Sequence, residues 1–175
     1  MKKKLLLMLA ALLPLVASAE TVEIEGIFYE LSEDEATVTY NYDDSYSGDI
    51  VIPASVTYDG KTYSVTSIGD GVFTECGDLT SITIPETVTY IGAEAFGACY
   101  GLTSINIPNG VTSIEPLTFY GCEALTSITI GSGVASIGEG AFSACSSLTS
   151  INIPENVEYI GDGAFDGCRD RKSVV

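Results

Sequence analysis

Apolar residues return along most of the chain at a fixed spacing of 23 positions. The phenylalanines show this most plainly, at Phe73, Phe96, Phe119, Phe142 and Phe165. A unit of this size cannot enclose an apolar interior by itself, so successive units must stack to bury their apolar side chains. The pattern therefore predicts a solenoid in which each period forms one coil.

One segment of each unit alternates apolar and polar side chains, as in Leu79-Thr80-Ser81-Ile82-Thr83-Ile84. Side chains of a β-strand point alternately to opposite faces, so Ile82 and Ile84 should face inward and Thr83 outward. A period of roughly 20 to 29 residues with an L-x-x-L-x-L core is typical of leucine-rich repeats. We expect these strands to stack as a parallel sheet.

In the remainder of each unit, the apolar residues are spaced differently. From Gly138 to Leu148 the apolar residues lie 3 and 4 positions apart, which predicts one to two turns of helix. The third unit departs from the pattern, because Glu115-Pro116-Leu117-Thr118 precedes its phenylalanine, and we interpret this as a structural variant. The predicted fold class is an α/β solenoid, a right-handed leucine-rich-repeat coil of 23-residue units with a parallel sheet and short helical turns.

The first residues are typical of a secretory signal. Three lysines at 2–4 precede the apolar run 5–16 and the small residues Ala17-Ser18-Ala19. We expect residues 1–19 to be removed by cleavage near Ala19, with secretion or display on the cell surface. The apolar run is shorter than the roughly 20 residues that span a bilayer, so no membrane insertion is expected after cleavage.

Residues 20–62 lack the period and contain short alternating or β-branched runs, which predicts an N-terminal β-cap over the first coil. Phe28 and Tyr29 are the residues expected to seal the open end of the apolar column. Residues 63–175 hold four full repeats and a partial fifth. Arg171 stands where the period requires leucine, which indicates either a charged terminus that discourages edge pairing or a fragment of a longer protein.

Charge and composition restrict the chemistry. Without the three lysines of the signal, 4 basic residues remain against 24 acidic ones, a net charge of 4 minus 24, or −20. No lysine or arginine lies between Lys61 and Arg169, which argues against a nucleic-acid partner. The sequence has no histidine to activate a serine or cysteine nucleophile, and its scattered carboxylates favour a solvated surface over a glycosidase pair. We expect a protein that is not an enzyme and uses no cofactor.

Five cysteines follow the same period, at Cys76, Cys99, Cys122, Cys145 and Cys168. Their regular place in the unit predicts a column of buried, reduced side chains. Disulfides between adjacent coils and a metal site are the alternatives, although no histidine is present to complete a Cys/His site. The acidic segment 33–49, with Asp43, Asp44 and Asp49, predicts a solvated hairpin, with calcium binding as the alternative.

The repeat also resembles a known family. The stretch from Val134 to Pro154, VASIGEGAFSACSSLTSINIP, is similar to the repeat of BspA-like leucine-rich-repeat proteins, and the block from Ile24 to Ser64 looks like their N-terminal region. The resemblance implies a bacterial secreted or surface protein. In this family some members are adhesins for host matrix proteins, epithelium or other bacteria, so a protein partner is implied.

Exposed positions of the repeat are the candidate binding residues. One row faces outward from the predicted sheet, at Thr83, Asn106, Thr129 and Asn152. Tyrosines interrupt the repeat elsewhere, at Tyr90, Tyr100, Tyr120 and Tyr159, and large aromatic side chains are frequent binding anchors. The alternative for the row is side-chain hydrogen bonding along the stack. A protein-binding, adhesin-like module is the predicted function; a calcium- or carbohydrate-binding accessory protein and a truncated remnant are the alternatives.

Overall fold

The computed structural model describes residues 20–41 and 45–169. The predicted signal at 1–19, Asp43 and Asp44, and Arg171 lie outside the described residues. The strands within them are β1 (Glu20–Ile24), β2 (Ile27–Ser32), β3 (Glu35–Thr39), β4 (Gly48–Val51), β5 (Ser55–Tyr58), β6 (Lys61–Ile68), β7 (Leu79–Thr83), β8 (Tyr90–Ile91), β9 (Ser104–Asn106), β10 (Ser113–Ile114), β11 (Ser127–Thr129), β12 (Ser136–Ile137) and β13 (Tyr159–Ile160).

The first six strands organise the N-terminal part. Their main sheet has the order β1-β2-β3-β6-β5, with antiparallel hairpins β1–β2, β2–β3 and β5–β6. Strand β6 also pairs in parallel with β8, where Ser67 lies opposite Tyr90. Strand β4 pairs in parallel with β7. The first coil therefore stacks directly on the N-terminal strands.

Two sets of parallel strands stack through the repeats. One pairs β9 with β11, with Ile105 opposite Ile128. The other runs β10-β12-β13 and aligns Ile114, Ile137 and Ile160. Each aligned residue is the one that occupies the same place in the adjacent unit. The predicted stacking of leucine-rich repeats is confirmed. The second set of strands was not predicted, because the pattern around Ile114, Ile137 and Ile160 indicated no strand.

The predicted helical turns are wrong. No α-helix is present in the described part of the chain, and residues 139–144 form consecutive turns. The N–H of Phe142 donates to Ala164 O of the next coil at 2.7 Å, and the N–H of Cys145 donates back to Phe142 O at 3.2 Å. Ala144 has a left-handed φ of 61°. A helix needs repeated bonds to the fourth preceding residue, and this segment directs alternate donors into the neighbouring coil instead.

The interior is organised around one aromatic column. The five phenylalanine rings lie parallel, with centroids 5.1 to 5.4 Å apart and interplanar angles of 3° to 6°. Leucine, isoleucine, valine and cysteine of each coil pack around them in one apolar core. Because each phenylalanine ring stacks on the phenylalanines of the adjacent coils, the coils are coupled mainly to their nearest neighbours.

Tyr46 lies at the N-terminal end of this column. Its ring centroid is 4.9 Å from that of Phe73, tilted by 52°. Its hydroxyl donates to Thr39 O at 2.9 Å and accepts from the N–H of Phe28 at 3.0 Å. The sequence pattern predicts that Phe28 and Tyr29 seal this end of the column. Tyr29 is buried, but the ring that contacts Phe73 is that of Tyr46.

Candidate functional site

The cysteines form a buried column of thiols, and the described residues contain no disulfide. The Sγ of Cys99 donates to Phe73 O of the preceding coil at 3.1 Å, and the next two coils repeat this bond at the same distance. Burial raises the pKa of the Cys99 thiol from 9.0 to about 12, and it also raises the pKa of Cys76, Cys122 and Cys145. These cysteines are core residues, in agreement with the main sequence interpretation.

These raised pKa values predict alkaline destabilisation. Below pH 9.0 the thiols are protonated in both the folded and the unfolded chain, so the stability is fully present. Between pH 9.0 and about 12 the unfolded chain ionises while the folded chain does not, and the stability is lost as pH rises. Urea denaturation at pH 8, 10 and 11 should show a falling free energy of unfolding.

A cysteine variant provides the control for this pH dependence. Cys99→Ala should show a shallower fall, because one titrating group is removed. A thiol reagent at pH 8 should react slowly with the native protein and rapidly with all five cysteines after denaturation. A flat stability profile up to pH 11, or fast labelling of the native protein, would contradict the buried column.

The predicted Thr/Asn row is exposed, as its place in the repeat requires. Thr83, Asn106, Thr129 and Asn152 all present their side chains to solvent. Asn106 and Thr129 lie opposite each other in β9 and β11. Thr83 lies in β7, which pairs with β4, and Asn152 lies outside the strands, so the structure pairs two of the four residues directly.

Threonines and serines lie three and two positions before each residue of this row, as at Thr80 and Ser81, and some of them form hydrogen bonds along the stack. Thr126 Oγ1 donates to Thr103 O of the preceding coil at 3.1 Å. At the N-terminal end, the Asp49 carboxylate accepts bonds from Ser81 Oγ at 2.6 Å and Thr80 Oγ1 at 2.8 Å. These bonds lower the pKa of Asp49, with that from Ser81 contributing most. Part of this face thus stabilises the stacking of the coils.

Tyr90 lies in β8, which pairs with β6, and Tyr159 lies in β13, the last strand of the second set. They occupy the same place in their units, paired with Ser67 and Ser136 respectively, and 43% and 61% of their surface is exposed. The hydroxyl of Tyr90 donates to Asp70 Oδ1 at 3.0 Å. Partial burial is the main cause that raises the pKa of Tyr90, and the hydrogen bond to Asp70 raises it further. Neither tyrosine lies on a strand that carries a residue of the Thr/Asn row.

Tyr100 and Tyr120 lie on the turn segments of adjacent coils. The N–H of Tyr100 donates to Ala98 O at 2.9 Å, and the N–H of Ala98 donates to Tyr120 O at 2.6 Å. Both side chains are about half exposed, at 53% and 48%. The eight predicted residues therefore fall into three groups on different parts of the coil, and no single site contains all of them.

A shallow hollow of about 260 Å³ lies beside Tyr120 and was missed by sequence reasoning. Its lining residues come from three successive coils: Thr74, Glu75, Glu94, Gly97, Ala98, Leu117 and Tyr120. Two of them, Leu117 and Tyr120, belong to the irregular third unit. The departure of this unit from the repeat pattern is the sequence feature that could have indicated the hollow. In the structure, these two residues form one wall of it.

Two features are absent from the residues that the structure describes. They contain no group of three or more cysteine, aspartate or glutamate side chains placed to hold a metal ion. No helix among them has the length and apolar character needed to cross a bilayer.

Solved structures of bacterial leucine-rich-repeat proteins share this fold. A leucine-rich repeat protein from Bacteroides ovatus is 39% identical over 82% of this chain and 38% of its own, with a TM-score of 0.73. The leucine-rich repeat protein of T. pallidum is 28% identical over 85% of this chain and 68% of its own, also with a TM-score of 0.73. The chain thus spans 38% of the length of the Bacteroides ovatus protein.

More distant structures extend the likeness in fold alone. The pneumococcal vaccine antigen PcpA is 17% identical over 86% of this chain and 48% of its own, with a TM-score of 0.63. No curated protein matches the chain significantly. The family model for the BspA type leucine-rich repeat region matches residues 66–175 in six copies. The chain therefore belongs to the family of proteins with BspA-type leucine-rich repeats.

Proposed function

We propose that this chain is a secreted or cell-surface protein-binding module, adhesin-like and without catalytic activity. The family supports the protein-binding role, since repeat solenoids offer extended surfaces to other proteins. The sequence of residues 1–19 supports export. The partner is a protein of the host matrix or of another cell surface.

We infer that the chain has three parts. Residues 1–19 are the signal, residues 20–62 cover the first coil, and residues 63–175 form the repeats of 23 residues. The contact of Tyr46 with Phe73 and the pairing of β6 with β8 support the covering role of the N-terminal strands. Covering the end of a solenoid keeps its apolar column from water.

One observation carries the proposed function, namely four exposed tyrosines on a stacked backbone. Tyrosine offers a large contact surface and loses little conformational entropy when it is immobilised, which suits it to anchor a partner. The backbone beneath these tyrosines is fixed by bonds to neighbouring coils, as at Ala98 and Tyr120. A partner would therefore meet a surface that needs little reordering, which lowers the cost of binding.

A binding screen with matched variants tests this function. The chain from Glu20 onward is immobilised and presented with purified host matrix proteins and with bacterial envelope extracts. For each protein that binds, we expect the quadruple variant Y90S/Y100S/Y120S/Y159S to bind at least tenfold more weakly, a loss of about 1.4 kcal/mol.

The Thr/Asn row supplies the matched control. The variant T83S/N106S/T129S/N152S also changes four exposed residues, but it leaves all tyrosines in place. If this variant alone loses binding, the partner uses the sheet face and the tyrosines are not the anchors. If the folded wild-type chain binds no protein in the screen, the proposed function is wrong.

A further inference from the structure

The hollow beside Tyr120 has an apolar wall and an acidic rim. Leu117, Ala98 and Tyr120 are among its lining residues, together with Glu75 and Glu94, whose side chains are exposed. Its frame is fixed, because the N–H of Glu75 donates to Gly97 O at 2.8 Å and that of Glu94 to Pro116 O at 3.1 Å. A long side chain with an apolar stem and a polar end matches this arrangement.

The acidic residues of the rim favour a positive charge at the polar end of such a side chain. The sequence between Lys61 and Arg169 contains no lysine or arginine, so the coils that line the hollow supply no basic side chain to neutralise Glu75 and Glu94. Lys61 itself pairs with Asp34 at 3.0 Å, in the N-terminal hairpins. A basic group from outside the chain is complementary to the rim.

Two lining residues, Glu94 and Leu117, stand at a position of the unit where other coils have glycine. Glu94 and Leu117 have left-handed φ values of 55° and 58°. Three other coils have glycine with the same sign of φ at this place, at Gly71, Gly140 and Gly163. Side chains are disfavoured in this conformation, and residues held in it often line binding sites. Glu94 and Leu117 both line the hollow.

We propose that this hollow binds a lysine or arginine side chain of the partner protein. The inference rests on the proposed protein-binding function and names the chemistry that one site recognises. The methylene stem packs against Leu117 and Ala98, as long basic side chains commonly do on apolar surfaces. The cation lies near Glu75 and Glu94 and over the ring of Tyr120, where a ring face attracts positive charge.

An NMR titration of the chain from Glu20 onward tests the site with defined probes. The first probe is Nα-acetyl-arginine methylamide, and Nα-acetyl-norleucine methylamide is its uncharged counterpart. We expect the arginine probe to produce saturable amide shifts centred on the lining residues, and the norleucine probe to bind much more weakly. Shifts spread evenly over all acidic surfaces, or equal binding of both probes, would overturn the proposal.

Variants distinguish the hollow from general acidity. E75Q/E94Q should weaken binding of the arginine probe about fivefold, as expected for two solvent-exposed ion pairs. E155Q/E158Q removes the same charge from exposed positions in the last coil and should leave the affinity unchanged. Leu117→Gly removes the apolar wall and places there the residue that other coils already have, so it should fold and bind weakly. Unchanged affinity in E75Q/E94Q would overturn the site.

The outcomes also separate this inference from the proposed function. If a protein partner is found whose affinity is unaffected by E75Q/E94Q, and the arginine probe binds elsewhere, the hollow is not its site and the protein-binding function stands. If the arginine probe occupies the hollow and no protein partner binds in the screen, the hollow is a cation site and the proposed function fails.

Discussion

Phe119→Ala should lower the free energy of unfolding by about 3 to 5 kcal/mol, the usual cost of removing a buried phenylalanine. Phe119 is fully buried, and its ring stacks on Phe96 at 5.4 Å and on Phe142 at 5.3 Å. Loss of this ring leaves a cavity in the middle of the column and removes both stacking contacts. Urea denaturation followed by circular dichroism measures the change.

Phe165→Ala is the matched control in the same column. Its ring stacks on Phe142 at 5.4 Å, and its side chain is only partly buried at the end of the described stack. We expect it to lose about half as much stability as Phe119→Ala, because the truncated ring leaves a smaller cavity. Equal losses at the two positions would contradict a column whose coupling runs between neighbouring coils.

Gly133→Ala should lower the free energy of unfolding by roughly 3 kcal/mol, at the upper end of the cost of overpacking. A Cβ at Gly133 would overlap the carbonyl oxygen of Asn109 in the preceding coil and lie 3.0 Å from Val111 O. Both contacts are with backbone, so relief requires the two coils to separate. The melting temperature and the urea midpoint should both fall.

Gly110→Ala changes the same place one coil earlier and should be nearly neutral. The closest atom to a Cβ there is the Thr89 Cγ2 methyl at 3.2 Å, which belongs to a side chain that can move. Neither glycine has a positive φ, so the two alanines differ in close contact and not in backbone conformation. Equal effects of the two substitutions would show that the coils do not approach as closely at Gly133 as described.

The buried face of the solenoid could be predicted from the sequence, whereas the turn backbone could not. Ile82 faces inward and Thr83 outward because strand alternation leaves no other arrangement for their polarity. Between Gly138 and Leu148, however, apolar spacings of 3 and 4 suit both a helix and a series of turns. The choice depends on donors bonding to the next coil and on Ala144 adopting a left-handed φ. Neither feature is encoded by the order of apolar and polar residues.

The candidate surfaces were predicted residue by residue, but their grouping was not. Exposure of Tyr90 and Tyr120 follows from their outward places in the repeat. Their separation onto different parts of the coil depends on where the chain turns. The hollow beside Tyr120 combines Glu75, Glu94 and Leu117, which are distant in sequence and meet only because the coils stack.

We propose that exposed tyrosines on the stacked scaffold bind a protein partner, and a comparison of affinity and stability in one variant tests this most directly. Binding of wild type and of Y90S/Y100S/Y120S/Y159S to a partner from the screen is measured by calorimetry, with thermal melting of both proteins. We expect a loss of at least tenfold in affinity while the variant still melts cooperatively as a folded protein. Undiminished affinity in the quadruple variant would contradict it.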